Sequence, residues 1–202
     1  MNLPNKLTVL RIVLVPFVLI FMLPVPGQLA LFSGWNHFVA SYGQILAIII
    51  FIAASLTDML DGAIARSQNL VTNLGKFLDP IADKMLVISV LIALVQLGRI
   101  HAVIAIIIII REFMVTGIRL IASDHGVVIA ANMLGKIKTV TQIIAISIMM
   151  IEGLAIRLIA PVSAVVAANV HWLGDFAMLV AIIMTIVSGY DYFQKNIKYL
   201  HG

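Results

Sequence analysis

The chain has 202 residues, 62% of them hydrophobic and only 11% charged, with a mean hydropathy of +1.14. A soluble domain is about a quarter charged, so this composition excludes an ordinary soluble core and implies an all-α integral membrane protein with a single membrane domain over residues 1–202. The formal charge of +4 comes without any basic run, so no nucleic-acid partner is expected, and the lack of cysteine excludes disulfides, thiolate chemistry and cysteine-ligated metals.

Residues 2–11, Asn2 to Arg11, are amphipathic and basic and run straight into an apolar segment reaching about Leu23. A cleaved signal peptide fits poorly: the apolar run is long, and no clear small-x-small site precedes Pro24-Val25-Pro26-Gly27. The expectation is a short N-terminal interfacial helix leading into the first span. Residues 24–42 read as a Pro/Gly/aromatic loop, with Trp35 and Tyr42 suited to a membrane interface. The second span is expected from about Gly43 to Ala65, and residues 67–75 make a turn. The third span runs from near Lys76 to near Leu97, and the fourth from about His101 to Ile121. The fifth begins at Gly135-Lys136-Ile137-Lys138-Thr139 and reaches about Met150. Residues 151–171 read as a loop with an interfacial or re-entrant piece, and the sixth span covers about Leu173 to Tyr192. Several of these segments approach the ~20 residues needed to cross a bilayer.

With six spans, Lys6, Arg11, Arg66, Lys76, Lys84, Arg119, Lys136, Lys138, Lys195 and Lys198 share one side, against Arg99 and Arg157 on the other. Ten basic residues against two put both termini at the cytoplasmic face.

Four of the nine acidic residues fall between the second and third spans: Asp58, Asp61, Asp79 and Asp83. Carboxylates at a bilayer edge are expensive and mark function. Asp58 and Asp61 are three apart and Asp79 and Asp83 four apart, so on helices each pair shares a face. Two such faces meeting would gather four carboxylates, whose repulsion divalent cations relieve; all-oxygen ligands suit Mg²⁺ or Mn²⁺. Gly62 leaves room beside the carboxylates for a ligand to approach the backbone. Arg66 offers a fork suited to phosphate. Together these residues suggest metal-assisted phosphoryl transfer. Further along, Arg111 and Glu112 interrupt an apolar run, and Arg119 lies two turns beyond Arg111. Adjacent residues do not face one another on a helix, so Arg111 and Glu112 are each expected to pair with another helix or a ligand. Lys136, Lys138 and Thr139 at a helix start make an anion site by charge and dipole together; positive-inside anchoring is the plainer alternative for each lysine. The five histidines have no metal-site spacing and read as interfacial polar residues.

The residues Asp58, Asp61, Gly62, Ala65, Arg66, Gly75, Asp79 and Asp83 match the pattern D-x2-D-G-x2-A-R-x8-G-x3-D-x3-D at every fixed position. This resembles the signature of the CDP-alcohol phosphotransferases, integral membrane enzymes of phospholipid synthesis. The resemblance covers most of the chain from Asn2 to Phe193 and is weakest in 24–42 and 151–171. It implies attack of an alcohol hydroxyl on the β-phosphorus of a CDP-linked lipid with release of CMP. Asp58, Asp61 and Asp79 would chiefly be ligands to two divalent ions, with Asp83 completing the second site and favoured as general base; the sequence does not separate ligand from base. Asp58, Gly62, Ala65 and Arg66 would lie against the CDP moiety. Asn5 and Thr8 would either help to hold the nucleotide or anchor the chain among headgroups.

The strings Arg111–Arg119 and Gly135–Thr139 are similar to those of the bacterial branch that makes phosphatidylglycerophosphate. CDP-diacylglycerol and sn-glycerol 3-phosphate are therefore the expected substrates, with Arg111, Arg119, Lys136 and Lys138 taking the acceptor phosphate. The resemblance further implies a bacterial inner-membrane homodimer among membrane lipid. Rival readings are the same chemistry with another acceptor, such as inositol phosphate or phosphatidylglycerol, and a cation transporter. Clustering of the acidic residues at one face, instead of stepping across the membrane, weighs against transport.

Overall fold

The computed structural model describes residues 3–26, 30–68, 73–124, 126–127, 129 and 132–200, with the backbone alone described for residues 3–7, 30, 58–68, 73–81, 83, 124, 198 and 200. Its first helix is α1 (Leu3–Met22). A 3-10 turn (Ala30–Phe32), α2 (Ser33–Phe38) and a π-helical segment (Val39–Gly43) then lead without a break into α3 (Gln44–Gln68). There follow α4 (Asn73–Gln96), α5 (Ala102–Asp124), α6 (Met133–Ile159), α7 (Ala164–Asn169) and α8 (His171–Asn196), with a closing 3-10 turn (Ile197–Leu200). Among the described residues there is no strand.

Six of the helices have 20 to 27 residues, and at about 1.5 Å per residue each matches a hydrocarbon core about 30 Å thick. Three segments, Ser33–Thr57, Met133–Ile159 and Ala164–Asn196, are both long and apolar enough to cross a membrane. In α5 the apolar run is interrupted by Arg111, Glu112 and Arg119. The outer surface carries the apolar load: Ile110, Phe113, Leu120, Ile144, Phe176 and Ile183 are all exposed. A water-soluble protein would bury such a coat; a bilayer solvates it.

Packing closes the six long helices into a ring. The helix α1 lies against both α3 and α4, α4 against α5, α5 against α8, α8 against α6, and α6 against α3. One core runs through all six and includes Val18, Phe51, Leu91, Ile108, Ile146 and Met178. Small side chains at the contacts, among them Ala47, Ala54, Ala93, Ala105, Ala145 and Ala181, let the backbones approach. Among the described glycines the tightest is Gly43, where a Cβ would stand 2.3 Å from the Phe21 carbonyl oxygen. Only glycine fits there.

The long helices alternate in direction. The helix α4 ends at Gln96 and α5 begins at Ala102, so a short turn reverses the chain, and Lys84, three turns into α4, donates to Thr116, two turns before the end of α5, at 2.5 Å. Asn132, just before α6, donates to Asp191 near the end of α8 at 2.8 Å. Arg157 near the end of α6 donates to the Ala40 carbonyl just before α3, where Phe21 at the end of α1 packs on Trp35 and Phe38. The start of α1, the end of α3, the start of α4, the end of α5, the start of α6 and the end of α8 thus share one end of the bundle. Gly98 and Gly126 terminate α4 and α5 with φ of 68° and 74°. Each closes a paired cap in which Arg99 N–H reaches the Leu94 carbonyl and Val127 N–H the Ala122 carbonyl.

Two expectations are corrected and one is made more definite. The interfacial helix expected to lead into the first span forms, from Leu3 onward, one continuous helix with it; Pro16 sits inside α1. The proposed loop at 24–42 is helical from Ala30 onward, where Phe21, Trp35, Phe38 and Tyr42 pack ring to ring at 5.5–6.4 Å. Pro24 and Pro26 stand outside any helix, as expected; the aromatic contacts carry helix through the part of the expected loop from Ala30 onward. The proposed loop at 151–171 is instead the end of α6, a short turn and α7; the ion pairs of buried Glu152 with Arg99 and His171 carry the helix past Met150.

Candidate functional site

The motif lies on two helices whose ends share the same end of the bundle. Asp58, Asp61, Gly62, Ala65 and Arg66 occupy the last turns of α3, and Gly75, Asp79 and Asp83 the first turns of α4. Their side chains, with that of Asn5, fall outside the described residues. The backbone keeps the helical spacing that puts each aspartate pair on a common face. The intervening helix α1 packs on both carriers, and its Thr8 and Arg11 are buried. Four oxygen donors on two helices suit a hard divalent ion, and among the described side chains there is no other cluster of three or more potential ligands.

Next to this lies a polar cavity of about 250 Å³. Among the described residues its wall holds five cations, Lys84, Arg111, Arg119, Lys136 and Lys138, against one carboxylate, Glu112. The four cations singled out in the sequence are thus brought together, from α5 and the start of α6. The fifth, Lys84, comes from α4 and directly follows Asp83, so the cavity wall and the acidic motif are one residue apart in the chain.

Each cation is held differently. Arg111 donates to Ser188 Oγ at 3.2 Å and to Glu112 Oε1 at 3.3 Å. Its stem is admitted by Gly189, where a Cβ would come within 3.0 Å of Arg111 Cγ. Glu112 also pairs with Lys138 and, at 3.6 Å, with Lys84. Both Glu112 partners on other helices fit the sequence argument; the direct Arg111–Glu112 contact corrects it, because two long side chains can bend toward one cavity from adjacent positions. Arg119 donates through Nε to Tyr192 Oη at 3.3 Å and lies 5.6 Å from that ring's centroid, a cation–π geometry. Lys136 is exposed, and Thr139 turns its hydroxyl back to the Gly135 carbonyl at 3.1 Å.

The start of α6 is built by Asn132. Its Oδ1 accepts from Gly135 N–H at 2.8 Å, while its Nδ2 donates to Asp191. The side chain caps the helix and ties it to α8, which fixes where Lys136 and Lys138 enter the cavity. Lys84, Asn132 and Tyr192 are wall residues that sequence reasoning did not assign to this pocket. Lys84 carried a signal in its place beside Asp83, and Asn132 in its capping distance from Gly135; Tyr192 carried none.

A second polar cluster sits at the opposite end. Glu152, 2% exposed, pairs with Arg99 and His171, and Arg99 Nη2 lies 2.9 Å from His171 Nδ1. Gly174 makes room, since a Cβ there would be 3.1 Å from Glu152 Oε2. His171, expected as a plain interfacial residue, is part of a tie between the α4–α5 connection, α6 and α8.

The sequence model of the CDP-alcohol phosphatidyltransferase family matches residues 1–187. The chain belongs to that family. It is 47% identical over 195 residues to the CDP-diacylglycerol–glycerol-3-phosphate 3-phosphatidyltransferase of Bacillus subtilis (strain 168), covering 96% of this chain and 95% of that one. It is 35% identical over 198 residues to the protein of the same name from Rickettsia bellii (strain RML369-C), covering 98% and 97%. With a probable phosphatidylglycerophosphate synthase of Mycobacterium tuberculosis (strain ATCC 25618 / H37Rv) it shares 36% identity over 201 residues, covering 100% and 84%.

Proposed function

We propose that this chain is a CDP-diacylglycerol–glycerol-3-phosphate 3-phosphatidyltransferase, acting as one membrane domain over residues 1–202. The observation that carries the reading is the five-cation cavity beginning at the residue after Asp83. A phosphorylated acceptor needs such a pocket beside, but separate from, the carboxylates that serve the diphosphate. An uncharged acceptor would leave Arg119 and Lys136, with which no described carboxylate pairs, without a task.

In this reading the acceptor hydroxyl attacks the β-phosphorus of CDP-diacylglycerol. A new oxygen–phosphorus bond forms, the bond to the α-phosphate oxygen breaks, and CMP leaves with that electron pair. Asp83 accepts the hydroxyl proton. Asp58, Asp61, Asp79 and Asp83 would hold two divalent ions, Mg²⁺ or Mn²⁺, which when bound supply charge neutralisation at the diphosphate and stabilise the leaving phosphate. Asp58, Gly62, Ala65, Arg66, Asn5 and Thr8 face the CDP moiety. The summed charge of Arg111, Arg119, Lys136 and Lys138 draws the acceptor phosphate into the cavity, and Arg119 presents a fork already held on Tyr192.

The same reading makes all six long helices spans, with the site at the cytoplasmic face of a bacterial inner membrane. The ten-to-two distribution of basic residues supports that orientation. A homodimer belongs to the reading through the family resemblance. The test is CMP release from CDP-diacylglycerol by the purified protein, with and without Mg²⁺, Mn²⁺ or a chelator, and with and without sn-glycerol 3-phosphate. Release that requires both metal and glycerol 3-phosphate is expected. Metal-dependent release only with another alcohol would overturn the acceptor, and no release with any acceptor would overturn the reaction.

A further inference from the structure

A carboxylate is out of place in a pocket meant for phosphate, yet Glu112 stands among its cations and pairs with three of them: Lys138 on α6, Lys84 on α4 and Arg111 beside it. Lys138 is 3% exposed, and an ammonium at that depth without a counter-charge would be strongly unfavourable. Lys138 is thereby committed. Arg119 and Lys136 differ: among the described residues no carboxylate pairs with either, and Arg119 donates through Nε to Tyr192 Oη. The cavity is therefore divided. One side is neutralised by Glu112, and the other keeps uncompensated positive charge.

We propose that Glu112 is a positioning residue that fixes where the acceptor phosphate binds. By occupying the Lys138–Lys84 side it confines the phosphate to the Arg119–Lys136 side, and the rest of the acceptor extends toward α4 at Lys84 and Asp83. Lys138 is then the counter-ion of Glu112 and not a phosphate ligand, which distinguishes it from Lys136 one half-turn away. This deepens the reading of the reaction given above and rests on it for the acceptor's direction; the division of charge in the cavity does not.

The experiment compares wild type, E112Q, E112D and E112Q/K138M in two assays: stabilisation of the purified protein by inorganic phosphate in a thermal shift titration, and steady-state CMP release with varied glycerol 3-phosphate. Gln keeps the shape of Glu112 and removes its charge. E112Q should bind phosphate roughly tenfold more tightly, the order of one charge-assisted hydrogen bond, because Lys138 and Lys84 are released to it. Its kcat and acceptor KM should fall together, as for a substrate held in an unproductive place. E112D, which keeps the charge, should recover kcat, and removing the nearer freed ammonium in E112Q/K138M should reverse most of the tightening, leaving the smaller part due to Lys84. If E112Q fails to fold, the double variant should bind phosphate within a few-fold of the wild type. Phosphate affinity and kinetics unchanged in E112Q, or phosphate binding weakened, would overturn the proposal. Absence of CMP release from the wild type would instead overturn the reaction, leaving the phosphate comparison to decide the role of Glu112 alone.

Discussion

Removing the Arg119 guanidinium tests the acceptor pocket most directly. Its Nε is on Tyr192 Oη at 3.3 Å and its charge lies over that ring at 5.6 Å, so the group is pre-aimed and loses little freedom on taking a ligand. A guanidinium held in this way offers a phosphate a forked pair of charge-assisted hydrogen bonds, worth about 1.5–3 kcal/mol. Arg119→Ala should therefore raise the KM for glycerol 3-phosphate by roughly 10- to 150-fold, at 1.4 kcal/mol per tenfold, with kcat much less affected because ground state and transition state share the contact. Arg119→Lys keeps the charge but loses the fork, and should fall between. Tyr192→Phe keeps the ring under the guanidinium and removes the charge-assisted bond that Arg119 Nε donates to the hydroxyl, and should raise KM several-fold. The assay is CMP release at saturating CDP-diacylglycerol with glycerol 3-phosphate varied. An unchanged acceptor KM in folded Arg119→Ala, or a rise in the KM for CDP-diacylglycerol instead, would refute the assignment.

Other perturbations separate the reaction from the scaffold. Asp58→Asn and Asp83→Asn should each abolish CMP release while leaving the melting temperature close to wild type; near-normal turnover in either would remove the roles given to them. Glu152→Ala removes the buried carboxylate that ties Arg99 and His171, both partly exposed, so the loss should fall below the about 3–5 kcal/mol of a fully buried pair broken on one side. Its thermal unfolding in detergent should fall by several degrees, and an unchanged transition would show that the cluster holds nothing together. Gly43→Ala drives a Cβ to 2.3 Å from the Phe21 carbonyl oxygen, so α1 must shift on α3. A loss of at least about 2 kcal/mol is expected from such overpacking, read as a lowered melting temperature.

Much of this protein was legible before any coordinates. The apolar runs and their interruptions set an all-helical membrane chain, because a bilayer tolerates little else that leaves the backbone satisfied. The acidic motif was legible because its spacing is a property of single helices, and both segments fold as helices. Arg111, Arg119, Lys136 and Lys138 could be picked out because charge inside apolar sequence is rare and costly. Element boundaries were less legible. The end of α6 was placed near Met150, yet the helix runs to Ile159, since nothing local announces that Glu152 has Arg99 and His171 to meet.

What only the tertiary structure decided is which charges share a space. Lys84 enters the cavity because α4 packs on α5, Tyr192 because α8 does, and Glu112 becomes the partner of Lys138 because the first turns of α6 come alongside the middle of α5. Composition and periodicity act along one helix, through the few residues that a turn brings together. Ion pairs across helices depend on crossing points and on small residues such as Gly189 that let a long side chain through, and those are set by how six helices close into a ring. The kind of chemistry was therefore written in the sequence, and the division of the cavity between a committed and an open set of cations arose only in the packing.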